Sequence, residues 1–169
     1  MATWIGEDNL LNAKIQGNLT IQAGGKIDVS ACGCDSGPCP GINNSKGASH
    51  GGQGGRGGGA TEAPYGSVTD PTRSGSGGHI ARGGGVAKLT ITGDLNVSGS
   101  ICADAGGPTH EGAAGGSVNI TAGTLTHSGS ATISANGGGN GGEHGGGGGR
   151  VAIALTNEAD TAFAGLTIT

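Results

Sequence analysis

The side chains able to do chemistry are few and widely spaced. Four cysteines open the inventory: Cys32, Cys34 and Cys39 lie in the run Cys-Gly-Cys-Asp-Ser-Gly-Pro-Cys, and Cys102 stands far downstream. The close pair could form half of a zinc site, but structural zinc wants a second Cys or His pair of similar spacing, and none follows. A disulfide framework fits better, because a glycine-rich segment has little else to hold it and such bonds persist in oxidising compartments. Cys32, Cys34, Cys39 and Cys102 are therefore the disulfide candidates, with a local bridge from Cys39 to Cys32 or Cys34 expected.

Five histidines (His50, His79, His110, His127, His144) are spread along the chain. Were the segments around them to converge, His50, His79, His110 and His144 could meet Glu111 and Glu143. No pair has a metal-ligand spacing such as His-x3-His, so solvent-facing loop histidines and no metal are expected. Asp28, Asp94 and Asp104 sit singly, and glycoside chemistry needs carboxylates in a cluster; turn formers and solubilising groups are the reading. The run Gly145 to Arg150 leads into a strand, whereas a phosphate loop needs a following helix. No catalytic residue, no cofactor and no enzymatic activity are predicted. Thr90 with Thr92, Thr167 with Thr169, and Thr20 and Thr121 form pairs that could order water on a flat face, although threonine is also a good strand former. Asn18, Asn43, Asn96 and Asn119 begin glycosylation sequons, meaningful only in a eukaryotic secreted protein.

These residues must be held by something, and the organising stretch is Val86 to Gly107. Leu89, Ile91, Leu95, Val97, Ile101 and Ala103 recur at spacing two with polar residues between them, and Gly93 and Gly99 mark the bends. Alternation gives each short strand one apolar and one polar face. The same layout recurs as Ile15, Leu19, Ile21, Ala23, Ile27 and Val29, and again from Ser117 to Ala135. Aligned on Gly25, Gly99 and Gly129, Ile27, Ile101 and Ala131 coincide, as do Val29, Ala103 and Ile133. A partial fourth copy runs from Gly149 to Leu155 and resumes at Gly165. A single copy buries little, so the copies must stack, as in a solenoid.

Composition supports a thin core. There are 42 glycines and only Trp4, Tyr65 and Phe163 as aromatics among 169 residues, too few large side chains for a thick interior. Collagen is excluded by the five prolines and the lack of a sustained Gly-X-Y run. Eight basic residues against twelve acidic ones, scattered without runs, leave no electrostatic footprint for nucleic acid. No stretch is apolar for the length of a membrane span, and Met1 to Asp8 lacks the basic region and apolar run of a signal peptide.

The expected organisation is a single domain over residues 1–169: lead-in or cap 1–13, coil one 14–32, a Gly/Pro/Cys-rich insert 33–85, coil two 86–104, insert 105–116, coil three 117–135, insert 136–149 and a terminal coil 150–169. The run Gly51-Gly-Gln-Gly-Gly-Arg-Gly-Gly-Gly can take the extended helix with three residues per turn, and bare glycines let such helices pack through backbone hydrogen bonds. Similar runs recur after each coil, so they are expected to stack on one side in a polyglycine-II-like manner. The fold class predicted is all-β, a right-handed parallel β-solenoid of about three to four coils. The chain stops on a strand, making Leu166, Thr167, Ile168 and Thr169 a candidate self-association edge.

With the repeats in view, the chain resembles a diffuse group of very large secreted or surface-attached glycine-rich parallel β-helix proteins, some adhesin-like. The resemblance is carried by Gly47-Ala-Ser-His-Gly-Gly-Gln-Gly-Gly, Tyr65-Gly-Ser with Gly75-Ser-Gly-Gly, Ala114-Gly-Gly-Ser-Val-Asn-Ile and Gly145-Gly-Gly-Gly-Gly-Arg-Val-Ala-Ile. It covers most of residues 15–155 and implies an extracellular or cell-surface scaffold or adhesive stalk, with no catalytic signature to transfer. The expected partners are copies of the chain itself in a filament; the alternative is a module that binds surface glycans or a receptor through its inserts, with Tyr65, Trp4 and the histidines as contacts.

Overall fold

A computed structural model describes residues 10–35, 47–55, 62–78, 81–107, 112–139, 144–157 and 163–169. Among them the chain is all-β, with parallel strand pairing throughout and no α-helix, an arrangement consistent with a parallel β-solenoid. Strands β1 (Leu10–Ile15), β2 (Leu19–Ile21) and β3 (Lys26–Asp28) go in turn to three different sheets. The next rounds repeat the order: β4 (Val86–Ile91), β5 (Leu95–Val97) and β6 (Ser100–Cys102), then β7 (Ser117–Ala122), β8 (Leu125–His127) and β9 (Thr132–Ser134). Last come β10 (Arg150–Leu155) and β11 (Thr167–Ile168). The sheets therefore read β1-β4-β7-β10, β2-β5-β8 and β3-β6-β9-β11.

Alternation explains which side chains meet. In the first sheet Leu11, Ala87, Val118 and Val151 share one register position, and Ala13, Leu89, Ile120 and Ile153 the next inward one. Leu19, Leu95 and Leu125 stack in the second sheet, and Ile27, Ile101, Ile133 and Ile168 in the third. In the middle rounds these residues are sealed: Leu89, Leu95, Ile101, Ile120 and Ile133 have essentially no exposed surface. Each such side chain is worth about 1.5–3 kcal/mol of burial.

Two sequence expectations need correction. The first round already includes Leu10 to Ala13, ahead of Lys14, because Leu11, Ala13 and Ile15 keep the inward alternation that pairs with β4. The pairing of Ile27 with Ile101 and of Asp28 with Cys102 follows the glycine alignment, but Ile101 pairs with Ile133, not Ala131. Four residues (128–131) link β8 to β9, where two (98–99) link β5 to β6, so the corner at Gly129 absorbs two extra residues. Gly129 does so at φ +62. Gly93 and Gly99 serve closeness instead: a Cβ on Gly93 would strike Asn18 and Gly17, and one on Gly99 the carbonyl of Gly25.

The chain leaves and re-enters the strand column at one place in every round. Gly85, Gly116 and Gly149, each just before a strand of the first sheet, donate to the carbonyls of Val29, Ala103 and Ala135. The glycine segments outside the column bond to one another backbone to backbone: Gly33 to Gly83, Gly75 to Gly84, Gly84 to Ala114, Gly115 to Gly147, Gly147 to Ala48, Ala48 to Gly112, and Gly52 to Gly148. At Gly83 a Cβ would overlap the Gly75 carbonyl, and at Gly146 that of Ala113.

Candidate functional site

The three carboxylates singled out in the sequence are spent on holding corners. Asp94 receives Thr124 Oγ1 on Oδ1 at 2.6 Å, while its own amide donates to Asn18 Oδ1 at 2.9 Å. Asp104 accepts Ser134 Oγ at 2.9 Å and the Asn136 amide at 2.7 Å, and its amide donates to Ser30 Oγ. Asn136 Nδ2 in turn donates to Thr169 Oγ1 at 3.1 Å. Side chains at these two corners thus bond the backbone of the neighbouring round. Asp28 accepts the Ser30 amide and pairs with Lys26 at 3.5 Å.

The threonines do not share one face. Thr90 and Thr121 are register partners in the first sheet, Thr20 lies in the second beside Asn96, and Thr167 is in the third. Asn119 is buried, 6% exposed, and gives its Nδ2 to Asp70 Oδ1 at 2.6 Å, so its sequon is closed in the folded chain. Cys32 is an exposed free thiol and Cys102 a buried one, so neither is in a bridge. Cys102 faces Asp28 in register, on the outward side of the ladder, and is covered there to 8% exposure. Cys34 is disulfide-bonded; Cys39, and with it the expected local bridge from Cys39, lies outside the described residues.

The histidines divide. His79 and His110, with Glu111 and Glu143, lie outside the described residues, and among the described ones no group of three or more His, Cys, Asp and Glu could hold a metal. His50 is not a surface loop residue: it is fully buried, with Nδ1 donating to the Gly115 carbonyl at 2.7 Å. Nε2 is buried with no partner among the described residues, which costs about 1–3 kcal/mol for a neutral acceptor. The Tyr65 ring lies against it with centroids 4.7 Å apart. Tyr65 is itself fastened, its hydroxyl donating to the Ser74 carbonyl at 2.7 Å with Ser76 Oγ at 2.8 Å, and its carbonyl accepting from Arg150 Nε at 3.0 Å. Burial pushes the His50 pKa below its ordinary value, with the Arg150 and Arg73 charges adding to the effect. His127 occupies the inward position held by Ile21 and Val97 below it, and its Nε2 is 3.1 Å from the Ala164 carbonyl.

Sequence reasoning missed a cleft of about 370 Å³ on the outer face of the first sheet. One wall is the segment Val68 to Asp70, strapped down by Asp70 Oδ1 to Lys88 Nζ at 2.8 Å and to Asn119, and by Ser117 Oγ donating to the Arg73 carbonyl at 2.6 Å. The floor is Asn119, Thr121, Ala152 and Ala154. The available signal was the outward ladder: Asn12, Lys88, Asn119 and Ala152 share one position and Lys14, Thr90, Thr121 and Ala154 the other. Side chains shrink to methyl groups in the last round.

The ends of the column form the second candidate surface. Leu11, Ala13, Ile15, Leu19 and Ile27 in the first round, and Val151, Ile153, Leu155 and Leu166 in the last, are only half-buried. Ile168 is 43% exposed, one of two large hydrophobic residues exposed among those described; the other is Val68 at 69%. Among the described residues no helix is long and apolar enough to cross a membrane. No protein-family model matches the chain, and no curated protein or solved structure matches it either.

Proposed function

We propose that this chain is an extracellular structural module without enzymatic activity: a right-handed β-solenoid of about three to four coils, its glycine inserts packed as a polyglycine-II-like layer, stacking end to end on copies of itself. Right-handedness follows from the general preference of parallel crossovers. The observation that carries the reading is the contrast between sealed middle rounds and half-open end rounds. Continuing the observed register, β1 of a second copy would lie on β10, and β3 on β11, placing Ile27 over Ile168. Unpaired strand edges with matched apolar residues are templates for such addition. The disulfide at Cys34 suits an oxidising compartment, and the engagement of Asp28, Asp94 and Asp104 in corner bonds supports a scaffold over a catalyst.

Sedimentation velocity across a concentration series tests this. Mass should grow with concentration, and Ile168→Asp should hold the chain at monomer, since a charge cannot be buried between stacked rounds without a partner. Equal sedimentation of both forms as monomers at every concentration would remove the reading. The alternative, an adhesin-like module binding surface glycans through its inserts, is favoured by one feature, the cleft beside Val68 to Asp70.

A further inference from the structure

We propose that the cleft between the Val68–Asp70 strap and the outer face of β7 and β10 is a binding site for one neutral sugar unit, such as a hexopyranose ring of a surface glycan. This rests on the alternative reading and gives it a location; every wall comes from one copy, and because a stacked neighbour would set its Asn12 and Lys14 beside Ala152 and Ala154, the site is tested on dispersed protein.

The chemistry of the walls selects the ligand class. A pyranose ring presents aliphatic C–H faces and a rim of hydroxyls, so its site needs a small apolar shelf edged by fixed donors and acceptors. Ala152, Ala154 and the exposed Val68 supply the shelf. Thr121 and the carboxylate of Asp70 supply the edge, and the Asp70 side chain keeps 66% of its surface exposed. Its orientation is set in advance, because Oδ1 is held by both Lys88 and Asn119, and pre-set groups cost less to order on binding. Those same two bonds keep the carboxyl below the usual carboxylate range, Lys88 contributing most. An ionised carboxylate accepts hydroxyl hydrogens well. Lys88 offsets its charge, which leaves the site without the net positive field that an acidic sugar would need. The cleft exists because the outward ladder ends in two alanines where earlier rounds carry Asn, Lys or Thr; an ordinary outer face would be filled.

The test is a titration of isotope-labelled, dispersed protein with methyl glucoside, methyl galactoside, methyl mannoside and N-acetylglucosamine, followed by amide shifts. At least one sugar should move the amides of Asp70, Thr121, Ala152 and Ala154 with saturable, millimolar affinity. Ala154→Leu fills the floor without touching the strap and should weaken binding at least about tenfold, one good contact in free energy. Asp70→Asn removes the charged acceptor and should weaken it as well, with the Ala154 variant guarding against a loosened strap. No saturable shift with any of these sugars overturns the proposal, as does binding that Ala154→Leu leaves unchanged. Failure of sugar binding leaves stacking untouched, and failure of stacking leaves the sugar titration to be read on monomer.

Discussion

The strand column and the glycine layer beside it cohere by opposite means. In the column, Leu89, Leu95, Ile101 and Ile133 exclude water with side chains while the strands supply the hydrogen bonds. In the glycine segments the buried side chains are few and small apart from His50, and neighbouring backbones come so close that a single methyl group at Gly83 or Gly146 would collide with a carbonyl. One region is held by what its residues carry, the other by what they lack. The difference teaches that glycine content, which elsewhere loosens a chain, here permits a packed backbone lattice whose donors find acceptors across segments.

Substitutions should separate the two modes. The largest effect is expected from Gly146→Val, which must push two backbones apart; a loss beyond about 3 kcal/mol, the upper end for overpacking, should appear as failure to fold or a steep fall in melting temperature. Ile101→Ala, in the column, leaves a cavity but disturbs no backbone, and should cost about 2–5 kcal/mol by denaturant unfolding. If the glycine change proves the milder of the two, the layer is less tightly packed than the geometry states.

A subtler difference concerns acid. His50 is a titratable residue sealed among the glycine segments, and its folded-state pKa lies below the ordinary 6.5. Above that value it is neutral in both folded and unfolded chains and contributes no slope. As pH falls below 6.5 the unfolded chain takes up a proton that the folded one resists, so stability declines until the depressed pKa is reached. Melting temperature should therefore drop between neutral pH and about pH 5, and His50→Phe should flatten that part of the profile. An unchanged slope would mean that the proton is taken up elsewhere. The smallest effect belongs to the corners: Asp104→Ala removes acceptors for Ser134 and the Asn136 amide and should cost about 1–2 kcal/mol, typical of a lost cap-like bond.

Much of the column was legible in the chain, and the reason is physical. Period-two alternation dictates which residues face inward, so the stacking of Ile27 on Ile101 and of Asp28 beside Cys102 could be read directly. Corner length is not dictated that way, because a glycine marks a bend without counting its residues; hence the two-residue slip at Gly129 and the late start assigned to β1. The layer's partners were illegible, since Gly84 and Gly115 carry no side chain to declare a neighbour. The cleft was half-visible. Ala152 and Ala154 could be seen to replace larger outward residues, but the strap over them depends on Asp70 reaching Lys88 and Asn119 across long sequence separations. His50 was misjudged for the same reason: its surroundings, Tyr65, Gly115 and Arg150, are assembled only by the fold.

Open column ends that recruit further copies are the central claim, and fibre diffraction from concentrated, aligned protein addresses it most directly. Stacked rounds predict a sharp reflection along the fibre axis at about 4.8 Å, the spacing of hydrogen-bonded strands, lost with Ile168→Asp. Concentrated protein that stays monodisperse, with no axial order at that spacing, would contradict it.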